Sequence, residues 1–281
     1  MTGTGRMEGT SALPAYGTAT EAIAAGHGQF AHFYFHDNPD RSRILLLFNG
    51  AVSNPELRGR TVFHRWSWHQ YFKHPVLCVA DPLVCAPRSE ASLAWFVGRQ
   101  HSQDFPALIA EIRSIVGLVN PRAELIAMGS SGGGFAALMA LACGYADSAI
   151  VINPQTDIEL FERASAVARF KKEFCGNSRH RFTPAERRRT SVMEHGFARA
   201  KPGATIHYAQ NMADAGHYTA HLLPFLSHLG TSRPDIRVSV QLYTDPDKGH
   251  LPPGFKDTAR LFGPAIERLT RPGAASGTQP E

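Results

Sequence analysis

Two serines among glycines occupy the middle of this 281-residue chain, in the stretch IAMGSSGGGF at residues 126–135. The pattern G-x-S-x-G fits this stretch in one register, which makes Ser131 its central residue. Apolar runs precede and follow the glycines, as expected for a sharp strand-to-helix turn that exposes a nucleophilic hydroxyl. The alternatives are a glycine turn without chemistry and a phosphate-binding loop, although the turn contains no lysine and no G-x-G-x-x-G pattern.

A serine hydroxyl is a weak nucleophile unless a base takes its proton and an acid orients that base. The turn resembles the nucleophile turn of α/β-hydrolases, in which the acid and then the histidine follow the serine along the chain. Two acids follow predicted strands downstream of Ser131: Asp157 in NPQTD and Asp214 in QNMAD. His250, in DPDKGH, comes after the last strand. One strand separates Asp214 from His250, so we predict a triad of Ser131, Asp214 and His250, with Asp157 as the alternative acid.

Acyl chemistry at a serine also requires backbone N–H groups that stabilise the oxyanion. Gly132 directly follows the nucleophile and is one expected donor. The second is expected from Ala51, with Gly50 beside it, in the loop after RILLLFNG. Three polar residues near strand ends are predicted substrate contacts: Asn49, Asn153 and Gln155.

A metal site is the main alternative use of the histidines. His217 and His221 lie four residues apart near Asp214, a spacing that resembles a pair of metal ligands. Tyr218 follows His217, so the H-E-x-x-H pattern is absent, and we predict neither a metal nor a bound cofactor. The four cysteines have no C-x-x-C spacing and are predicted to be free thiols: Cys78, Cys85, Cys143 and Cys175.

Apolar runs typical of strands alternate with helical patterns along the chain. Strands are predicted at 32–37, 43–50, 75–82, 123–129, 148–154, 204–211 and 236–244, and helices at 92–98, 105–119, 134–145, 218–230 and 255–269. This alternation favours an α/β fold with a mostly parallel sheet covered by helices on both faces. Active sites in such sheets lie at the carboxyl ends of the strands, where Ser131, Asp214 and His250 occur.

Length and composition predict one large domain. Apolar residues make up 43% of the chain and charged residues 19%, which permits a sizeable core and excludes global disorder. We predict a flexible leader over 1–28, a domain over 29–270 and a disordered tail over 271–281. Neither a membrane span nor a signal peptide is evident, so a cytoplasmic location is expected.

The motifs resemble serine enzymes of the α/β-hydrolase fold over about residues 30–268. More narrowly, FNGA, ADP, GSSGGGFAAL, INPQTDI and YAQNMAD..HY resemble a bacterial polysaccharide-associated branch of that fold. This branch includes capsule O-acetyltransferases and accessory-secretion acetyltransferases. The resemblance implies that Ser131, Asp214 and His250 are nucleophile, acid and base.

A basic segment lies where such folds insert a cap, at about 158–200. Residues 158–204 contain eleven Lys/Arg and five Asp/Glu, while the net charge of the whole chain is +5. A solvated helical face explains this excess, and an anionic ligand, such as a CoA phosphate or an acidic glycan, is the alternative. Arg187, Arg188 and Arg189 are the predicted contacts of such a ligand. No nucleic-acid-binding signature accompanies the charge.

The expected activity is serine-dependent hydrolysis of an acyl ester through an acyl-serine. The alternative is an O-acetyltransferase that moves an acetyl group from acetyl-CoA, as co-substrate, to a glycan or small hydroxyl acceptor. Both reactions begin with attack by Ser131, and hydrolysis is preferred because it is commoner on this fold. An inactive binding protein on the same scaffold is the third alternative, which an intact triad disfavours.

Overall fold

An eight-stranded sheet forms the centre of the protein, whose computed structural model describes residues 13–102, 104–233 and 235–274. The strands are β1 (His27–Phe30), β2 (Phe33–His36), β3 (Arg43–Phe48), β4 (Val76–Val79), β5 (Glu124–Ser130), β6 (Ser148–Ile152), β7 (Thr205–Asn211) and β8 (Arg237–Tyr243). Their spatial order is β1-β2-β4-β3-β5-β6-β7-β8. β2 pairs antiparallel with β1 and β4, and the other neighbouring strands are parallel.

Helices surround this sheet. They are α1 (Ala19–Ala24), α2 (Pro82–Cys85), α3 (Asp104–Val119), α4 (Gly132–Ala142), α5 (Ala164–Cys175), α6 (Pro184–Thr190), α7 (Val192–His195), α8 (Ala215–His217), α9 (Leu223–Ser232), α10 (Phe255–Phe262) and α11 (Pro264–Glu267). A π-helical turn, Tyr218–Leu222, joins α8 to α9. None of the helices in the described residues has the length and hydropathy needed to cross a membrane.

Alternate side chains of the central strands enter two hydrophobic cores, one on each face of the sheet. Leu46 of β3 packs in the core that contains α3 and α4. Leu45 and Leu47 pack in the core that contains α10 and α11. Because both faces are covered, the central strands are almost continuously apolar. The predicted α/β architecture is therefore confirmed.

Secondary structure is present within residues 13–28, part of the segment that the sequence predicted to be a flexible leader. Within the expected leader of 1–28, Thr18 and Glu21 form a capping box at the start of α1, and β1 extends the sheet at its edge. At the other end, Arg271 of the expected tail donates hydrogen bonds to the Phe72 carbonyl and to Asn38. Residues 1–12 and 275–281 lie outside the described residues. Short edge elements with polar composition carry too little periodicity to be found from sequence.

The predicted helix at 92–98 is an irregular buried loop. Trp95 and Phe96 have φ values of 52° and 61°, which no right-handed helix contains. The Phe96 N–H donates to the Asp81 carboxylate at 2.7 Å, and the Trp95 indole N–H donates to Gln155 Oε1 at 3.1 Å. Distant polar groups fix this loop, and a local apolar pattern does not reveal them.

The basic segment forms the predicted helical insertion between β6 and β7 and contains α5, α6 and α7. Several of its charges are paired within the protein: Lys171 with Glu159, Lys172 with Glu90, and Lys201 with Asp147. These pairs account for part of the basic excess by contacts within the protein, without an anionic ligand. All four cysteines are free thiols, as predicted.

Candidate active site

Ser131 lies in the sharp turn between β5 and α4. Its φ of 55° and ψ of −125° are rarely adopted by residues other than glycine. A Cβ at Gly129 would lie 2.3 Å from the Gly133 carbonyl carbon, and one at Gly133 would lie 2.4 Å from the Phe48 carbonyl oxygen. The glycines therefore allow the strand and the helix to approach closely enough to form this strained turn.

The structure brings Ser131, His250 and Asp214 into one hydrogen-bonded chain. His250 Nε2 lies 2.9 Å from Ser131 Oγ, and His250 Nδ1 lies 2.7 Å from Asp214 Oδ2. The serine follows β5, the aspartate follows β7, and the histidine lies in the loop after β8. These distances permit proton transfer from the serine to an imidazole that a carboxylate orients.

Buried asparagines hold the loop that carries His250. Asn211 Nδ2 donates to the carbonyls of Asp245 and Gly249, at 2.8 and 2.7 Å. Asn153, which we predicted as a substrate contact, is fully buried, and its Nδ2 lies 3.4 Å from the His250 carbonyl oxygen. Asn153 therefore contacts the histidine loop and does not line the pocket over Ser131.

Asp157, the alternative acid, has other partners. Its carboxylate accepts from the Glu159 backbone N–H at 2.9 Å and forms an ion pair with Arg187. Only 2% of Asp157 is exposed. It therefore anchors the helical insertion, and its described polar partners do not include His250.

A second histidine binds the other oxygen of Asp214. His217 Nδ1 lies 3.1 Å from Asp214 Oδ1, and the His217 and His250 rings lie 4.1 Å apart. Burial alone would raise the pKa of Asp214, but the hydrogen bonds from His217 and His250 hold it well below its usual value. The carboxylate is therefore ionised while it accepts a hydrogen bond from each imidazole.

Gln155 links His217 back to the serine, and donor chemistry fixes its orientation. The Trp95 indole can only donate, so Gln155 Oε1 faces it. Gln155 Nε2 then lies 2.9 Å from both Ser131 Oγ and His217 Nε2. Since Nε2 donates, His217 Nε2 accepts, and the His217 proton lies on Nδ1, toward Asp214. Ser131 Oγ accepts from Gln155 and donates its own proton to His250.

This network changes the predicted role of Gln155. The residue is fully buried behind Ser131, hydrogen-bonds its hydroxyl and does not line the pocket over it, where a substrate contact was predicted. Its amide completes a closed ring of hydrogen bonds that runs through Ser131, His250, Asp214 and His217.

Asp214, His217 and His250 also form a group whose ligand atoms, all within 4.8 Å of one another, could hold a metal ion. In the hydrogen-bonded state, however, both nitrogens that face Asp214 carry protons. The predicted pair of His217 and His221 does not converge on one ligand, because His221 Nδ1 accepts from the Thr156 N–H at 3.2 Å. Burial lowers the pKa of His221 to about 3, so this imidazole is neutral.

The expected oxyanion donors lie beside the serine. Gly50 and Ala51 line the same pocket as Ser131, and a Cβ on Gly50 would lie 4.0 Å from the Ser131 Cβ. Gly132 begins α4, where backbone N–H groups lack intrahelical acceptors. Within the described part of the chain, the N–H groups of Gly50, Ala51 and Gly132 have no hydrogen-bond acceptor.

The pocket over Ser131 has a volume of about 250 Å³. Aromatic and proline side chains and two arginines form much of its wall: Trp68, Phe161, Pro252, Pro253, Arg65 and Arg163. Among the described residues, no carboxylate lines it. Asn49, predicted as a substrate contact, instead donates to the Val62 carbonyl and accepts from the His64 N–H at 2.8 Å, which fixes the loop that leads to Arg65.

Comparisons with solved structures show which proteins share the fold of this chain. The capsule O-acetyltransferase of Neisseria meningitidis serogroup A has a TM-score of 0.57 and 13% identity, over 86% of this chain and 93% of that chain. Porphyromonas gingivalis dipeptidyl peptidase 4 has a TM-score of 0.55 and 18% identity, over 84% and 33%. Thermogutta terrifontis esterase 2 has a TM-score of 0.50 and 13% identity, over 84% and 87%.

The chain has an α/β-hydrolase fold. No protein-family model and no curated protein matches its sequence. The structural likeness therefore establishes the fold alone, and the chemistry must be inferred from the site.

The insertion of this α/β-hydrolase fold does not bring Arg187, Arg188 or Arg189 to the serine pocket. Arg187 pairs with Asp157 and Glu159. Arg189 donates to three backbone carbonyls between Val97 and Gln100, at 2.7–2.8 Å. Arg188 is exposed and lines a separate cavity. None of these three predicted substrate contacts lines the Ser131 pocket. Arg187 and Arg189 instead bind other parts of the protein and hold the insertion in place.

Replacing Arg187 with glutamine is expected to lower the free energy of unfolding by about 2–3 kcal/mol, because it leaves the buried Asp157 carboxylate without its charged partner. Arg188→Gln removes an exposed charge from the next position and should change stability by less than about 0.5 kcal/mol. Urea unfolding followed by circular dichroism measures both effects. Equal stabilities of the two variants would contradict the structural role of Arg187.

Proposed function

We propose that this protein catalyses acyl transfer through Ser131. The observation that carries the proposal is the hydrogen-bonded chain from Ser131 Oγ through His250 to the ionised Asp214. His250 accepts the Ser131 proton as Oγ bonds to the carbonyl carbon of an ester or thioester. The N–H groups of Gly132 and Ala51 stabilise the oxyanion.

Collapse of this intermediate breaks the bond to the leaving group, which takes the proton from His250, and leaves an acyl-serine. A hydroxyl compound then attacks the acyl carbon while His250 accepts its proton. When the acyl bond to Ser131 breaks, His250 returns the proton to Oγ. Atoms and charge balance over the cycle, and the chain supplies every proton carrier from its own residues.

Water as the attacking hydroxyl makes the protein an acyl-ester hydrolase, and this is the proposed activity. A glycan or small hydroxyl acceptor would make it an O-acetyltransferase with acetyl-CoA as co-substrate. The likeness to the Neisseria capsule O-acetyltransferase, which was also solved in complex with CoA, supports this second candidate. The complete Ser131–His250–Asp214 chain argues against an inactive binding protein on the same scaffold.

The hydrolase and the transferase differ in the acceptor of the acetyl group, which is water for the first and a hydroxyl compound for the second. The protein is incubated with 4-nitrophenyl acetate or acetyl-CoA, with and without a panel of sugar acceptors, and both acetate and acetylated product are measured. We expect rapid release of acetate that no acceptor diverts. Consumption of acetyl-CoA that depends on an acceptor would instead establish the transferase. Ser131→Ala provides the background rate for each donor.

A further inference from the structure

The catalytic pocket contains a guanidinium without a carboxylate partner. Arg65 lines the pocket together with Ser131 and His250. Its Nη2 donates to Ser130 Oγ at 2.7 Å, whereas its Nε is buried and has no hydrogen-bond partner among the described residues. Burying a cation without a counter-ion costs free energy. No ion pair within the described residues offsets this cost for Arg65. The buried Nε is enclosed by protein, so an external anion would meet the guanidinium on the side that lines the pocket.

Arg65 keeps its charge at neutral pH. Burial lowers the pKa of Arg65 to about 10, which leaves the guanidinium protonated at pH 7. The guanidinium carbon lies 5.2 Å from the Trp68 ring centroid, so the ring face offsets part of the lost hydration. An aromatic ring carries no net charge, so Trp68 does not neutralise Arg65, and the ionised Asp214 of the same site is engaged by His250 and His217.

Neighbouring residues fix Arg65 in place. The backbone of Arg65 has a φ of 60°, which is uncommon for a residue other than glycine. Asn49 holds the preceding residues through the Val62 carbonyl and the His64 N–H. Ser130, adjacent to the nucleophile, accepts from the guanidinium. Arg65 is therefore held on two sides. Asn49, which directly precedes the expected oxyanion donors Gly50 and Ala51, fixes the residues before Arg65, and Ser130 of the serine turn binds its guanidinium.

A second arginine adds to the positive charge of this pocket. Arg163, at the start of α5, is exposed, lines the same pocket and forms no ion pair with another described residue. With two arginines and no carboxylate among the described residues that line it, the pocket favours negative charge.

We propose that this pocket takes a substrate bearing a carboxylate or phosphate group, with Arg65 as the residue that selects it and Arg163 as an outer contact. A guanidinium recognises both groups through charge-assisted hydrogen bonds. The inference rests on the proposed function, because the anion is recognised on a substrate that acylates Ser131. The arginines that bind it differ from Arg187, Arg188 and Arg189, the ones that the sequence indicated.

Two matched pairs of esters test the proposal. In the first, 4-acetoxybenzoate and 4-acetoxybenzamide differ by one charge on the leaving group. In the second, monophenyl terephthalate and phenyl 4-carbamoylbenzoate differ by one charge on the acyl group. We expect the native protein to prefer the anionic member of at least one pair by about 10- to 100-fold in kcat/KM, chiefly through KM. The pair that shows the preference identifies the side of the ester that carries the anion.

Arg65→Gln should remove this preference by raising KM for the anionic ester, with the neutral ester affected much less. Arg65→Lys keeps the charge but loses the planar fork, and should retain an intermediate preference. The matched control is Arg181→Gln. Arg181 is an exposed arginine of the helical insertion that also carries Arg163, but it does not line the pocket, so its replacement should leave the preference unchanged.

Two further measurements do not depend on the folding of an Arg65 variant. Phenyl phosphate should inhibit the native protein competitively, more strongly than phenol, and Arg163→Gln at the pocket rim should weaken that inhibition. Acylation of Ser131 is followed by mass spectrometry of the peptide that contains it. Acylation by both members of each pair with equal KM would overturn the inference alone. Absence of acylation by every ester would overturn the proposed function.

Discussion

Replacing Ser131 with alanine is expected to abolish the acyl-enzyme and to lower kcat on the order of 10⁶-fold. The reason is chemical, because Oγ is the atom that bonds to the acyl carbon and lies 2.9 Å from the imidazole that accepts its proton. A neutral fluorophosphonate probe measures the loss directly as covalent labelling, and burst kinetics with 4-nitrophenyl acetate measures it as acetyl-enzyme.

Ser130→Ala is the matched control, since it removes the neighbouring hydroxyl, which accepts a hydrogen bond from Arg65. We expect a neutral probe to label this variant at residue 131. Labelling of Ser131→Ala, or loss of labelling in Ser130→Ala alone, would show that the nucleophile is assigned to the wrong serine. The two serines thus have separate roles that follow from their contacts: one holds a cation and the other faces the base.

The sequence predicted the parts of this site that depend on local pattern and chain order. The alternation of apolar strands with helices specified the sheet, and glycines around Ser131 specified a turn whose close contacts tolerate no side chain. Asp214 and His250, which the structure places in hydrogen-bonded contact with each other and with Ser131, were predicted because active-site residues of a parallel sheet lie at strand ends. These signals are local, so a single sequence contains them.

The residues that were misassigned depend on contacts between distant segments. Gln155 reaches Ser131 only because β6 lies beside β5, and Asn49 contacts residues 62–64 across a loop. Arg187 was predicted to contact an anionic ligand, because its ion pair with Asp157, thirty residues earlier in the chain, cannot be seen in the sequence.

Two residues to which we assign roles in the proposed site carried weak sequence signals or none. His217 follows Asp214 by three positions, a spacing that places both on one helical turn, and this was the available sign of their contact. Arg65 belongs to no sequence motif. We assign it a role because it lines the pocket and has no carboxylate partner among the described residues, which only the structure shows.

Replacing Asp214 with asparagine is expected to lower kcat by about 10⁴-fold. The carboxylate accepts one hydrogen bond from His250 and one from His217, on its two oxygens. An asparagine has one oxygen, so its amide N–H must face the N–H of one imidazole. Either His250 loses the tautomer in which Nε2 accepts the Ser131 proton, or His217 turns over and disturbs Gln155. Steady-state kinetics with 4-nitrophenyl acetate measures the loss, and circular dichroism verifies that the fold is retained.

Asp157→Asn is the matched control, because it removes the same charge as Asp214→Asn but is expected to affect stability and not catalysis. Asp157 contacts Arg187 and the Glu159 N–H, so its replacement should lower the free energy of unfolding while kcat of the folded fraction stays within a few-fold of the native value. A large loss of kcat in Asp157→Asn, with little in Asp214→Asn, would make Asp157 the functional acid. Because Asp214 alone of the two contacts both His250 and His217, the opposite result is expected, with the catalytic loss at Asp214 and the stability loss at Asp157.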